Sequence, residues 1–228
     1  QLEMSKKISL TYGEFIKVKK YCKKKKIEFL STPFDLGSVD FLKNFKMKYF
    51  KIPSGEITNL PYLIKVGKLK KKVILSTGMA NMKEIATALK ILIKNGTSKK
   101  NITVMQCNTE YPTPFKDVNL RAMLTIKKRF KVDIGYSDHT EGIEASLAAV
   151  ALGAQIIEKH FTISKKFIGP DHKASITESE LHNLSQGIKK ISLSLGSKEK
   201  RITPSETKNL IIARNSLVAA KNIKKGEK

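Results

Sequence analysis

The feature that most constrains this chain is a theme repeated six times: a short apolar run, a polar loop at its C-terminal end, then a helix-like stretch. Ile27-Glu28-Phe29-Leu30 runs into Ser31-Thr32-Pro33-Phe34-Asp35, and Tyr49-Phe50-Lys51-Ile52 into Pro53-Ser54-Gly55-Glu56. Val73-Ile74-Leu75 leads to Ser76-Thr77-Gly78-Met79, and Ile102-Thr103-Val104-Met105-Gln106 to Cys107-Asn108-Thr109-Glu110-Tyr111-Pro112. Asp133-Ile134-Gly135-Tyr136 ends in Ser137-Asp138-His139, and Ala154-Gln155-Ile156-Ile157 ends in Glu158-Lys159-His160. The spacing of roughly 20–30 residues is what parallel strand–helix–strand crossovers require. Polar groups at the ends of consecutive parallel strands point to a barrel enzyme rather than a binding module.

The helices between these runs are legible. Residues 82–95 place Ile85, Leu89, Leu92 and Ile93 at helical spacing, with Gly96 positioned to end the helix. Residues 143–152 are apolar nearly all round and predict a buried helix close to the sheet. Residues 181–195 form another amphipathic stretch, starting near Thr177-Glu178-Ser179-Glu180 and stopped by Gly196. A first helix is expected over 12–24. Thr203-Pro204-Ser205-Glu206 reads as a further helix start, and residues 215–228 as a strand followed by a turn. Residues 1–200 are therefore expected to be one partial barrel, and 201–228 a linker entering another domain. Six strand–helix units do not close an eight-stranded barrel. The expectation is a fragment with two strands missing at the front and a domain missing at the back.

Composition narrows the class. Forty per cent apolar residues fit a globular protein, and no apolar run is long enough to cross a membrane. Gln1-Leu2-Glu3-Met4-Ser5-Lys6-Lys7 is polar and shows no signal-peptide core. Cys22 and Cys107 form no C-x-x-C pair, which suits a reducing cytoplasm. The 44 Lys and Arg against 20 Asp and Glu give a formal net charge of +24. The basic residues are scattered in clusters such as 23–26 and 70–72, without interleaved aromatics. That pattern argues against a nucleic-acid surface and for a field that attracts an anionic small molecule.

The chemistry concentrates at the strand ends. Neighbouring parallel strands lie about 4.8 Å apart, so His139 and His160 at one height are placed to share a metal ion. A lone histidine in a core is ordinarily a satisfied structural one; two at matching heights favour ligation. Alternation puts Lys51 on the face opposite Phe50 and Ile52, where it reads either as a solvated edge residue or as a cation pointing into the barrel. A cation followed by Ser54, Gly55 and Glu56 suits a phosphate or carboxylate. Glu56 reads either as an acid at a helix start or as a general acid or base. Ser76-Thr77-Gly78 is either an ordinary turn or a weak anion-binding one. Asp171 reads as a third ligand, a substrate contact or a turn residue after Pro170. His172 lies close by, and His182 is expected to be exposed on a helix. Walker, G-x-G-x-x-G and H-E-x-x-H motifs are missing from the sequence.

Taken in order, these blocks resemble the sialic acid synthase family, whose members condense phosphoenolpyruvate with amino sugars to make nonulosonic acids. The matching blocks are Phe29-Leu30-Ser31-Thr32-Pro33-Phe34, Lys51-Ile52-Pro53-Ser54-Gly55-Glu56, Leu75-Ser76-Thr77-Gly78-Met79, Tyr111-Pro112-Thr113-Pro114, Tyr136-Ser137-Asp138-His139-Thr140, Glu158-Lys159-His160-Phe161-Thr162 and Gly169-Pro170-Asp171. The resemblance implies a TIM (β/α)8 barrel followed by a small antifreeze-like domain. It implies Mn2+, with Mg2+ or Co2+ as alternatives, held by His139 and His160. It matches Lys51, Ser54, Ser76 and Ser137 to phosphoenolpyruvate contacts, Glu56 to the acid/base carboxylate, and Tyr111 and Asp171 to sugar contacts. Either Asn108 or Thr109 would reach phosphoenolpyruvate. The sugar is N-acetylmannosamine or a 2,4-diacetamido-6-deoxy relative, and the full-length protein is expected to be a cytoplasmic homodimer with neither nucleic acid nor membrane as partner. The family's first-strand glutamate, second phosphate-binding lysine and partner-reaching arginine have no counterpart here, so the isolated chain is expected to be inactive and prone to aggregate. The competing readings are another phosphoenolpyruvate-dependent synthase acting on a phosphorylated sugar, a basic nucleic-acid-binding protein, and an inactive gene fragment.

Overall fold

The computed structural model describes residues 9–169 and 171–227. The polar start of the chain, Pro170 and Lys228 lie outside the described residues. The chain divides into a larger unit ending at Ser194 and a smaller one beginning at Leu195.

In the larger unit, five strands form one parallel sheet: β1 (Tyr49–Ile52), β2 (Lys72–Ser76), β3 (Ile102–Cys107), β4 (Asp133–Asp138) and β5 (Ile156–Lys159). Their spatial order is their sequence order, each pair parallel. This one-directional winding is that of a (β/α) barrel, not of a doubly wound sheet, whose order reverses at a switch point. Helices α1 (Tyr12–Lys24) and α2 (Leu36–Lys43) precede β1. The crossovers are α3 (Leu60–Lys68), α4 (Met82–Lys94), α5 (Arg121–Phe130) and α6 (Glu144–Ala151), and α7 (Glu178–Ser194) follows β5.

Local chemistry explains the elements. Asn81 starts α4 with a reciprocal cap: its side chain accepts from Lys83 N and Glu84 N, while Glu84 accepts from Asn81 N. Gly96 follows that helix at φ +115°, where an L side chain is strained. Helix α7 starts at Glu178, within the expected Thr177-Glu178-Ser179-Glu180 start, where Glu180 reaches back to Thr177 N and Oγ1. The strands split their faces cleanly. Phe50, Ile52, Val73, Leu75, Ile102, Val104, Ile134 and Tyr136 pack outward into the core with Tyr62, Leu63, Leu89 and Leu92 of the helices. Lys51, Ser76, Met105, Cys107 and Ser137 occupy the alternate positions, on the other face.

Two expectations are corrected. Ile27-Glu28-Phe29-Leu30 is not a strand. Its amides join no ladder among the described residues; Ile27 N instead donates to Cys22 O at the end of α1. Ile27 and Leu30 are exposed, and only Phe29 anchors the segment, tilted against Phe45. The apolar alternation there reflects one anchoring ring rather than a paired strand. In the smaller unit, residues 215–227 form no strand: Leu217 and Val218 stand fully or largely in solvent, with no ladder partner among the described residues. Thr203 N and Oγ1 both donate to Glu206 Oε2, but at the expected helix start these bonds close a turn, and the helix itself is the short α8 (Asn209–Ala213).

Candidate active site

The strand register brings the predicted residues onto one face near the C-terminal strand ends. Ser76 is level with Met105, Cys107 with Ser137, and Ser137 with Glu158. Gly135 lies beneath Ser137, and a Cβ there would stand 2.3 Å from Met105 Sδ and 2.8 Å from Ile156 O. The face is therefore closely packed at Gly135, just below the polar layer.

Lys51 points into this face, as alternation predicted, and is largely buried. Its Nζ lies 3.0 Å from Glu158 Oε1, and Ser137 Oγ donates to the same oxygen at 2.8 Å. Ser54 Oγ accepts from Gly78 N at 2.9 Å and lies 3.3 Å from Cys107 Sγ. Gly78 has to be glycine: a Cβ would stand 2.7 Å from Thr109 Cγ2 and 2.9 Å from Ser54 Oγ. The loops after β1, β2 and β3 meet at that point. Ser76 Oγ is buried without a hydrogen-bond partner among the described residues. A buried hydroxyl left unpaired costs free energy, so one aimed at a site is a place for a ligand oxygen.

The histidines meet as expected. Their ring centroids are 5.3 Å apart, inclined at 74°. His139 Nδ1–H donates to Asn108 O at 2.5 Å, which fixes the tautomer and leaves the Nε2 lone pair free, 3.3 Å from Ser137 Oγ. Burial holds the His139 pKa below the ordinary histidine value, against the raising effect of the Asn108 carbonyl. Tyr111 covers both rings, at 4.1 Å from His139 and 5.4 Å from His160. Burial also raises the Tyr111 pKa, so it stays a phenol donor. Asp171 Oδ2 lies 3.7 Å from His160 Nδ1 at the exposed rim.

Other predicted residues stand apart. Glu56 accepts from Asn59 Nδ2 at 2.6 Å in the short 3-10 turn after β1, and no hydrogen bond among the described residues ties it to the histidines. The Asn108 side chain is engaged in its own loop, with Glu110 N and Asp117 O, whereas Thr109 turns its methyl toward Gly78. His172 braces the loop after β5 through Thr162 Oγ1 at 2.9 Å, edge-on to Phe167. His182 is exposed on α7. Glu158 was the residue that sequence reasoning left without a role. Its signal was present: it lies two positions before His160, hence on the same face.

The NeuB family model matches residues 1–200. This chain belongs to the NeuB family. It is 57% identical over 227 residues to the N,N'-diacetyllegionaminic acid synthase of Campylobacter jejuni, covering 100% of this chain and 68% of that protein. It is 33% identical over 205 residues to human N-acetylneuraminate-9-phosphate synthase, covering 90% of this chain and 56% of that protein. The crystal structure of N-acetylneuraminic acid (sialic acid) synthetase from Leptospira borgpetersenii, in complex with citrate, superposes with a TM-score of 0.83 at 35% identity, covering 90% of this chain and 70% of that one. The chain thus spans roughly two thirds or less of the length of these curated NeuB-family relatives.

Proposed function

We propose that this chain carries the catalytic barrel of a synthase that joins phosphoenolpyruvate to an acylated amino sugar, releasing phosphate and a nonulosonic acid. The observation that carries the proposal is one polar layer at consecutive strand ends: Lys51, Ser54, unpartnered Ser76, Ser137, and the facing His139 and His160. The 57% identity to a legionaminic acid synthase favours a 2,4-diacetamido-6-deoxy sugar over N-acetylmannosamine. The full-length protein is proposed to work as a cytoplasmic homodimer.

Lys51, Ser54, Ser76 and Ser137 would bind the phosphate and carboxylate of phosphoenolpyruvate. Glu158 now accepts from two of those donors, Lys51 and Ser137, as a ligand anion would. It holds the lysine directed inward before substrate arrives. Thr109, rather than the Asn108 amide, would approach phosphoenolpyruvate from the β3 loop. Tyr111 and Asp171 stand at the rim, where the sugar enters. Glu56 would act as acid or base at the sugar end, released from Asn59.

A divalent metal fits the donors present. Burial lowers the His139 pKa and so favours a neutral ring, its Nδ1 is engaged by the Asn108 carbonyl, and the second imidazole lies within 5.3 Å, centroid to centroid. Among the described residues no group of three His, Cys, Asp or Glu side chains encloses an ion. Two nitrogen ligands with the rest open to water and substrate oxygens suit a catalytic rather than a structural site. His139 and His160 would hold Mn2+, with Mg2+ or Co2+ as alternatives. The ion, when bound, would supply Lewis-acid polarisation of the sugar aldehyde.

The test is phosphate release by the full-length protein given phosphoenolpyruvate, Mn2+ and either sugar. Release with the diacetamido sugar, faster than with N-acetylmannosamine, is expected. Mn2+ binding without release from either sugar would overturn the assignment.

A further inference from the structure

Behind the two histidines, on the helix side of the sheet, lies a charge pair that the proposed chemistry does not use. Asp138 and Lys159 are direct register partners across β4 and β5. Each immediately precedes one of the histidines, and alternation sends the pair outward where the histidines go inward. Lys159 Nζ lies 3.2 Å from Asp138 Oδ2, with the side chains 4% and 0% exposed. Asp138 is saturated. Oδ1 accepts from Thr140 N at 2.9 Å, from Thr140 Oγ1 at 2.7 Å and from Tyr136 OH at 3.4 Å, while Oδ2 accepts from Ser146 Oγ at 2.6 Å on α6. Lys159 Nζ also donates to Thr140 O. The residues on both sides of His139 are therefore tied to the residue before His160.

Stability does not require such a pair. Well-packed apolar residues of similar volume commonly replace a buried ion pair at no loss, or with a gain. A fixed geometry is what the pair supplies and apolar contacts would not. Two charges with every lone pair satisfied hold β4 to β5 at one register and hold Thr140 against both. We propose that Asp138 and Lys159 are positioning residues, which set the height and angle of His139 and His160 so that both rings address one ion. This rests on the reading that the histidines share a divalent metal.

The experiment measures Mn2+ affinity of the full-length protein by the free-Mn2+ paramagnetic resonance signal, beside thermal melting without metal and kcat and KM for phosphoenolpyruvate. The double variant Asp138→Leu/Lys159→Met replaces the pair with apolar volume. It is expected to melt close to the parent without metal, yet to bind Mn2+ roughly tenfold or more weakly, as supporting partners of metal ligands do. Its kcat should fall with KM for phosphoenolpyruvate little changed, and Lys159→Arg should recover most of the affinity. A folded double variant with parental Mn2+ affinity would overturn the proposal. Should it fail to fold, Ser146→Ala, which removes one bond to Asp138 and lies on α6, decides: weakened Mn2+ binding supports the proposal and unchanged binding overturns it. A parent protein that binds no Mn2+, or whose binding survives His139→Ala/His160→Ala, would instead bring down the underlying metal reading and this proposal with it.

Discussion

At the residue scale, single atoms decide what the polar layer does. Lys51 Nζ stands 3.0 Å from a carboxylate in a largely buried position. A hydrogen bond to a charged group is worth about 1.5–3 kcal/mol. Lys51→Met should therefore raise KM for phosphoenolpyruvate by roughly ten- to a hundredfold in steady-state assays. Gly135 shows the opposite demand, for empty space. A Cβ there would press on Met105 Sδ, which can move, and on Ile156 O, which is backbone and cannot move without shifting β5. Gly135→Ala should cost about 1–3 kcal/mol in denaturant unfolding, the usual range for overpacking. The inward face of Lys51 was legible from strand alternation, the meeting of the histidines from their matching strand ends, and Ser76 from the hydroxyl-rich turn at the end of β2. Glu158 was not assigned, because a carboxylate between two aliphatic residues and a lysine reads equally well as a solvated position. Only the register beside Ser137 shows its partners. The choice between Asn108 and Thr109 was likewise beyond the sequence, since it turns on a loop bond in which Glu110 N donates to Asn108 Oδ1.

At the element scale, helix starts carry measurable stability. Asn81→Ala removes a side-chain acceptor for two amides and should cost about 1 kcal/mol in thermal or denaturant unfolding. Asp35 caps α2, accepting from Ser38 N at 2.8 Å and Ser38 Oγ at 2.5 Å. The Ser38 hydroxyl, then its amide, lower the Asp35 pKa in the folded chain. A lowered carboxylate contributes stability that is fully present above its unfolded pKa and lost as pH falls through the lowered folded value. The stability gap between the parent and Asp35→Ala should accordingly be widest at neutral pH and shrink in acid, as read from denaturant melts across that range. Helices α4 and α7 were legible because apolar periodicity agrees with their start and stop residues, and α6 because it is apolar nearly all round. The apolar runs at 27–30 and 215–219 misled because strandhood depends on a ladder partner, which no local pattern contains. Among the described residues, Phe29 is the half-buried anchor of the first, and Leu217 and Val218 in the second stand exposed.

At the scale of the whole molecule, the repeat of strand, loop and helix was enough to predict a parallel sheet wound in one direction, and the sheet order β1-β2-β3-β4-β5 agrees. The formal charge of +24 adds a long-range field. Such a field raises the local concentration of an anionic substrate and is screened by salt, with a Debye length of about 10 Å at 0.1 M. The kcat/KM for phosphoenolpyruvate should therefore fall as NaCl rises, more steeply than the same constant for the uncharged sugar. The central claim is that one layer of strand-end groups binds a metal and phosphoenolpyruvate together. Its most direct test is a crystal structure of the full-length protein grown with Mn2+ and phosphoenolpyruvate. The account predicts anomalous manganese density on Nε2 of His139 and on His160, with ligand oxygens on Lys51 Nζ and Ser76 Oγ. Well-ordered phosphoenolpyruvate elsewhere, or no manganese between the histidines, would contradict it.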